Sequence, residues 1–141
     1  MKITKKVKQR VMVFGVFDGL HAGHRAFLTA AKKRGTELIA VVARDEVVRL
    51  LKSKTPRRDE KARVRAIHES GLADRVVLGD KKQGTYRVIA RYAPDSICLG
   101  YDQKMLAAHL RAHIRARAMF SLRMIHLRIY MPRTSVSSLR P

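Results

Sequence analysis

Cysteine and tryptophan are almost missing from this sequence of 141 residues, which has one cysteine, Cys98, and no tryptophan. A lone thiol closes no intramolecular disulfide, and with no CxxC pair there is no cysteine framework for zinc, so a reducing, cytoplasmic setting is expected. Acidic residues are also scarce: Asp and Glu number 11 against 31 Lys and Arg, a formal net charge of +20. Long apolar runs are lacking. The basic start, Met1 to Arg10, leads into Val11 to Phe17, which meets Asp18 too soon to be a signal-peptide core. No stretch approaches the roughly 20 apolar residues of a membrane-spanning helix, so no membrane partner is expected. Aromatic residues are only 6 %, too few for a base-stacking platform.

Hydrophobic residues nonetheless make up 46 % of the chain, which excludes a disordered basic tail and predicts one folded domain over residues 1–141. The charge calls for polyanionic company: nucleic acid, anionic lipid or phosphorylated metabolites.

Val11-Met-Val-Phe-Gly-Val-Phe17 is a short, nearly continuous apolar run, the pattern of a strand buried on both faces. A turn-forming stretch, Asp18 to Gly23, follows, and then helical periodicity from His24 to Arg34 that stops at Gly35. Leu38 to Val42 gives a second buried strand, completing a βαβ unit. Arg75 to Leu78 and Ser96 to Leu99 repeat the strand pattern, preceded by helical stretches over Asp59 to Ser70 and Tyr86 to Tyr92. Gln103 to Met119 reads as a longer amphipathic helix and Leu122 to Ile129 as a last strand. The prediction is a Rossmann-like, doubly wound, three-layer α/β fold with about five parallel strands, whose ligands bind beyond the carboxyl ends of the strands.

Four loops then become candidates: Asp18 to His24, Arg44-Asp45, Gly79 to Gly84, and Gly100 to Gln103. His21 and His24 stand three apart where loop becomes helix, with Gly23 allowing close backbone approach. Main-chain N–H groups at a helix start and two imidazole donors there suit a phosphate chain. Neither GxxxxGK[ST] nor GxGxxG is present, which disfavours a P-loop kinase or a dinucleotide-binding dehydrogenase.

The stretch Gly15-Val-Phe-Asp-Gly-Leu-His-Ala-Gly-His24 closely resembles the GxFDxxHxGH signature of the cytidylyltransferase-like nucleotidyltransferases. Val42-Ala-Arg-Asp45, Lys52-Ser-Lys54, Arg63 with Asp74 beyond it, and Leu99-Gly-Tyr-Asp-Gln103 follow in the family's order, and the VARD and GxDQ stretches look most like its archaeal-type FAD synthetase branch. The resemblance implies that an acceptor's phosphate attacks the α-phosphorus of a nucleoside triphosphate and pyrophosphate leaves. FMN adenylylation with ATP is the first reaction implied, and CTP-dependent activation of glycerol 3-phosphate or a similar phosphate the second. By the same resemblance His21, His24, Lys52 and Lys54 serve catalysis by neutralising charge on the departing pyrophosphate, with Mg²⁺ bridging phosphate oxygens. Val16, Phe17, Gly100 and Asp102 would line the nucleotide, and Asp18, Arg63 and Arg133 the acceptor, Asp18 either orienting it or standing in the metal's shell. Arg133-Thr-Ser-Val-Ser-Ser138 is similar to the family's RTxxISTT segment but shorter by one residue, giving Ser137 and Ser138 a place at the triphosphate. Val16 stands where the family usually has Thr. No dedicated protein metal site is implied; a homodimer is.

Plainer readings compete at several positions. Lys52 and Lys54 fit a solvated face, Arg63 a helix surface, and Asp102 a cap for the helix beginning near Gln103. His109 and His113, four apart without an HExxH glutamate, read as surface histidines on a basic helix, and Cys98 as a core thiol. The Arg-rich Arg111 to Arg128 stretch reads first as the outer face of a helix and strand and only second as a nucleic-acid groove, so a basic nucleic-acid-binding module is the non-enzymatic alternative.

Overall fold

The computed structural model describes residues 7–128. Within them the chain runs β1 (Arg10–Gly15), α1 (Ala22–Lys32), β2 (Glu37–Val42), α2 (Asp45–Lys52), α3 (Glu60–Ser70), β3 (Arg75–Leu78), α4 (Arg87–Tyr92), β4 (Ser96–Leu99), α5 (Lys104–Ala116) and β5 (Arg123–His126). The strands form one sheet in the order β3-β2-β1-β4-β5, and every pairing is parallel. This is the doubly wound architecture expected from the apolar runs.

Alternation along each strand divides the core in two. Val11, Val13, Leu38, Ala40 and Val42 face Phe27, Leu28 and Ala31 of α1 and Ile67 of α3. Met12, Ile39, Val41, Ile97 and Leu99 face Val88 and Ile89 of α4 and Ala107, Leu110 and Ile114 of α5. Truncating a filled position such as Phe27 to alanine would cost about 3–5 kcal/mol, the transfer term plus the cavity.

The helix ends follow local chemistry. Asp59 caps α3 by accepting from the Ala62 N–H at 2.8 Å, and Gly71, at φ 71°, ends it. Gly35 is required by close approach, since a Cβ there would stand 2.5 Å from the Gln9 carbonyl oxygen.

Four expectations are corrected. β1 ends at Gly15 rather than Phe17, because Phe17 turns to a left-handed φ of 54°. Arg44-Asp45 is not a free ligand loop, since Asp45 opens α2, a helix the sequence reading did not include. His113 lies buried at the edge of the Tyr86 ring, 5.1 Å between centroids, and is not a surface residue. The last strand is four residues long: Leu122 and Leu127 flank it as buried residues, and Ile129 lies outside the described residues.

The order in which the strands are added reverses between β1 and β4, and there the sheet also opens. Their ladder is confined to Val11 with Ser96 and Met12 with Ile97, while β1 continues to Gly15 and β4 to Leu99. The gap at the carboxyl ends is the crevice in which doubly wound sheets hold ligands.

Candidate active site

The loop leaving β1 is built around Gly15 and Phe17. A Cβ on Gly15 would lie 2.8 Å from the Phe17 ring, so the ring folds back over a position only glycine can fill. Phe17 is buried and its ring meets that of His24 edge-on at 5.5 Å. His21 is the N-cap of α1: its Nδ1 accepts the Gly23 N–H at 3.2 Å, and Nδ1 of His24 accepts the His21 N–H at 3.3 Å. A ring nitrogen that accepts carries no proton, so both imidazoles hold their hydrogen on Nε2. The rings stack at 3.9 Å and 20°. Burial first, and the neighbouring His21 second, push the His24 pKa down to about 4 against an opposing pull from Asp18; burial lowers that of His21 as well. The pair is therefore two neutral Nε2–H donors at the start of a helix.

Asp18 links this loop to the lysine segment. Its carboxylate accepts the Arg57 N–H at 2.8 Å and the Arg58 N–H at 3.1 Å, and it lies close enough to Lys52 and His24 to act electrostatically on both. Lys52 ends α2, where Ser53 adopts a left-handed φ of 53°; burial, then Arg63 and Lys54, lower its pKa to about 8 while Asp18 opposes the shift. Lys54 is exposed.

Across the crevice, Gln103 spans the opened ladder. Its side-chain amide donates to the Phe14 carbonyl at 2.9 Å and its amide oxygen accepts the Gly100 N–H at 3.0 Å. Gly100 lies against α1, since a Cβ on it would stand 3.7 Å from Phe27. Asp102 caps nothing: the N-cap of α5 is Gln103, which makes no side-chain cap bond. Among the described residues, the buried side-chain polar atoms with no hydrogen bond are Nε2 of His21, Nζ of Lys52 and both carboxylate oxygens of Asp102. A buried polar group without a partner is costly, and all of these belong to residues singled out from the sequence.

The sequence profile of the Cytidylyltransferase-like family matches residues 12–138. The chain belongs to that family. An FAD synthase of Aciduliprofundum boonei is 41 % identical over 121 residues, 86 % of this chain and 79 % of that protein. An FAD synthase of Thermoplasma volcanium is 44 % identical over 105 residues, 74 % of this chain and 72 % of its own. A crystal structure described as a lipopolysaccharide core biosynthesis protein from Thermoplasma volcanium superposes with a TM-score of 0.79 at 38 % identity, over 88 % of this chain and 99 % of that one.

Other residues of this cytidylyltransferase-like chain support the site without facing it. Arg63, expected at the acceptor, is fully buried and lies neither on a substrate surface nor on an outer helix face. Its guanidinium donates to the carbonyls of Val16 (2.9 Å), Ala43 (2.8 Å) and Arg58 (3.0 Å) and to Asp45 (2.6 Å). Those four bonds fasten the β1 and β2 loops to the base of α3. Hydrogen bonds from Arg63 and the Glu60 N–H hold the Asp45 pKa below its ordinary value although burial, the largest effect, raises it. Arg44 ties the same region to the next loop through the Gly79 carbonyl at 2.7 Å. Asp74 accepts from the Leu38 N–H at 2.7 Å and pairs with Lys32, at the opposite end of the sheet from the histidines. The side chains of Val16 and Phe17 are buried, which leaves only their main chain to offer a nucleotide. Cys98 is a core thiol whose pKa burial pushes up to about 11. Arg133, Ser137 and Ser138 lie outside the described residues.

A cleft of about 320 Å³ opens on the α1–α3 side of the Asp18–His21 turn, lined by Gly19, Leu20, Arg25, Arg58 and Glu69 among others. Neither histidine nor Lys52 lines it, so it is separate from the cluster of unpaired atoms.

Proposed function

We propose that this protein is an FMN adenylyltransferase, which moves AMP from ATP onto the phosphate of FMN to give FAD and pyrophosphate. One observation carries the reading. The unbonded buried donors, Nε2 of His21 at the start of α1 and Nζ of Lys52 at the end of α2, are where a triphosphate would supply acceptors, and the unbonded acceptors of Asp102 would receive the two hydroxyls of a ribose. The named FAD synthases support ATP and FMN as the pair.

FMN needs no activation by a base, because a phosphate monoester, with a second pKa near ~6, is largely dianionic at neutral pH. The phosphate oxygen forms its bond to the α-phosphorus as the bond to the pyrophosphate oxygen breaks, so the protein's task is positioning and charge neutralisation. His21, His24, Lys52 and Lys54 would donate to the oxygens on which charge accumulates. Neutral imidazoles suit this role, since their Nδ1 atoms are already committed to the main chain. Among the described residues no three His, Cys, Asp or Glu side chains gather as a ligand set. Mg²⁺ would therefore be held mainly by phosphate oxygens and water, with Asp18 the carboxylate suited to its outer shell, and would neutralise further charge on the pyrophosphate. The reading treats residues 1–141 as one catalytic domain working in the cytoplasm. Among the described residues no helix is long and apolar enough to cross a membrane.

The test is pyrophosphate release with ATP or CTP against FMN, glycerol 3-phosphate and pantetheine phosphate in the presence of Mg²⁺. Turnover with ATP and FMN is expected. Turnover confined to CTP and glycerol 3-phosphate moves the protein to the other branch of its family, and no turnover with any pair overturns the reading.

A further inference from the structure

The charge of this protein is unevenly placed. Nine of the eleven acidic residues precede position 81, and none follows Asp102. The layer formed by α4 and α5 therefore bears exposed Lys81, Lys82, Arg87, Arg91, Lys104, Arg111, Arg115 and Arg117 against two nearby acids besides Asp102, and both of those are internally engaged. Asp80 accepts from the Thr85 hydroxyl and the Arg87 N–H, and Asp95 from the Arg10 N–H at 2.8 Å.

On α5 the cations are ordered. At about 100° per residue, Lys104, Arg111 and Arg115 fall within roughly 20° of one line, and at 1.5 Å per residue they span about 16 Å. Exposed Ala108, Ala112 and Ala116 run beside them, with Met105 and His109 farther round the helix. Among the described residues, none of Lys104, Arg111, Arg115 and Arg117 makes a side-chain hydrogen bond or ion pair.

We propose that the outer face of α5, with Arg117 beyond its end, binds the phosphate backbone of nucleic acid independently of sequence, at a place separate from the nucleotide site. The nucleotide site uses the start of α1, the end of α2 and the Gly100–Gln103 loop; Lys104 adjoins that loop, whereas Arg111, Arg115 and Arg117 lie toward and beyond the far end of α5. A lipid surface fits less well, because the large apolar side chains exposed in and beside this helix are Tyr101, Met105 and Phe120, at its two ends rather than along one face, too few to anchor a helix in a bilayer. Counterion release makes such binding fall with salt by roughly 0.7 in log K per log salt for each contact to a single strand, so the four cations set a slope near about −3.

The experiment measures fluorescence anisotropy of a labelled RNA oligonucleotide of arbitrary sequence from low to physiological salt, for the wild type and the triple variant R111Q/R115Q/R117Q. These side chains are exposed and unpartnered, so the variant is expected to keep its circular dichroism and melting temperature. We expect saturable binding that excess ATP with Mg²⁺ weakens no more than magnesium sulfate does at equal ionic strength, and that the variant weakens by roughly tenfold or more while its salt slope shrinks by about 2. No binding at low salt overturns the proposal, and so does binding that ATP displaces beyond that salt effect or that the variant leaves intact. Equal affinity for polyglutamate or for phosphatidylserine vesicles would replace nucleic acid with a different occupant, and also overturns it. None of these outcomes depends on which nucleotidyl transfer the protein performs.

Discussion

The rings of His21 and His24 stack 3.9 Å apart while each Nδ1 takes a main-chain N–H from the first turn of α1. The same two side chains thus close the start of the helix and keep their second ring nitrogens as donors, that of His21 buried and unbonded. The two roles separate in His21→Asn, whose side-chain oxygen still caps the helix but lacks the Nε2–H. Its melting temperature should stay near that of the wild type, whereas His21→Ala should lose about 1 kcal/mol of cap stability. Both should lose roughly 100-fold or more in kcat, as expected for a donor aimed at developing charge. Full turnover by the asparagine variant would show that His21 only caps the helix.

Acid should weaken the fold through His24. Its pKa, held at about 4 by burial, lies below the ordinary 6.5, so between those values the unfolded chain takes up a proton that the folded chain refuses. Stability from this source is complete above pH 6.5 and is lost as pH falls toward 4, up to roughly 3 kcal/mol. Asp45 and Asp74, held below the ordinary 3.8, lose their contributions only at lower pH. Burial lowers His21 and His113 as well, so the informative quantity is a difference. Urea unfolding at pH 7 and 4.5 should show a smaller acid loss for His24→Gln than for the wild type, and parallel curves would contradict this account.

Arg63 predicts a stability phenotype. Replacing it with alanine takes the guanidinium away from three main-chain carbonyls and leaves the Asp45 carboxylate with only the Glu60 N–H. About 3–5 kcal/mol should be lost, a fall of roughly 10–20 °C in Tm. Arg63→Lys should recover only part of it, because an ammonium cannot match the guanidinium fork. An Arg63→Ala protein that melts like the wild type but shows a raised KM for the acceptor would restore the substrate-binding role expected from the sequence.

That contrast marks what was readable in the chain. The inner strands β1, β2 and β4 announce themselves because strands buried on both faces are continuous apolar runs, the half-buried β3 and β5 by shorter apolar cores, and the histidine pair because it follows β1 at a helix start. The helix α2 does carry a local signal, with Val47, Val48, Leu50 and Leu51 at helical spacing, but it is only eight residues long, buries only Val48, and is fastened at its start by Asp45 to residues 15 and 18 positions away. Burial of Arg63 is hidden, since arginine is almost never enclosed unless paired, and its carbonyl partners lie in loops up to 47 residues distant. The Gln103 tie crosses 89 residues. The Arg63 and Gln103 ties are long-range polar contacts, which leave no local pattern in the sequence.

Gln103 gives the last prediction. Its amide replaces ladder bonds where β1 and β4 part, holding the loop that carries Gly100 and Asp102 against the end of β1. Gln103→Leu removes a donor and an acceptor at once, costing about 2 kcal/mol at roughly 1 kcal/mol per bond. The histidines and Lys52 hang from other elements, so the loss should fall on nucleotide binding rather than on the chemical step. KM for the triphosphate should rise several-fold with kcat little changed, and the thermal stabilisation given by the triphosphate alone should shrink in parallel. Gln103→Glu keeps the acceptor for the Gly100 N–H but sets a carboxylate against the Phe14 carbonyl, and should be the worse of the two. If both variants bind the triphosphate as the wild type does, the opened ladder does not position the nucleotide.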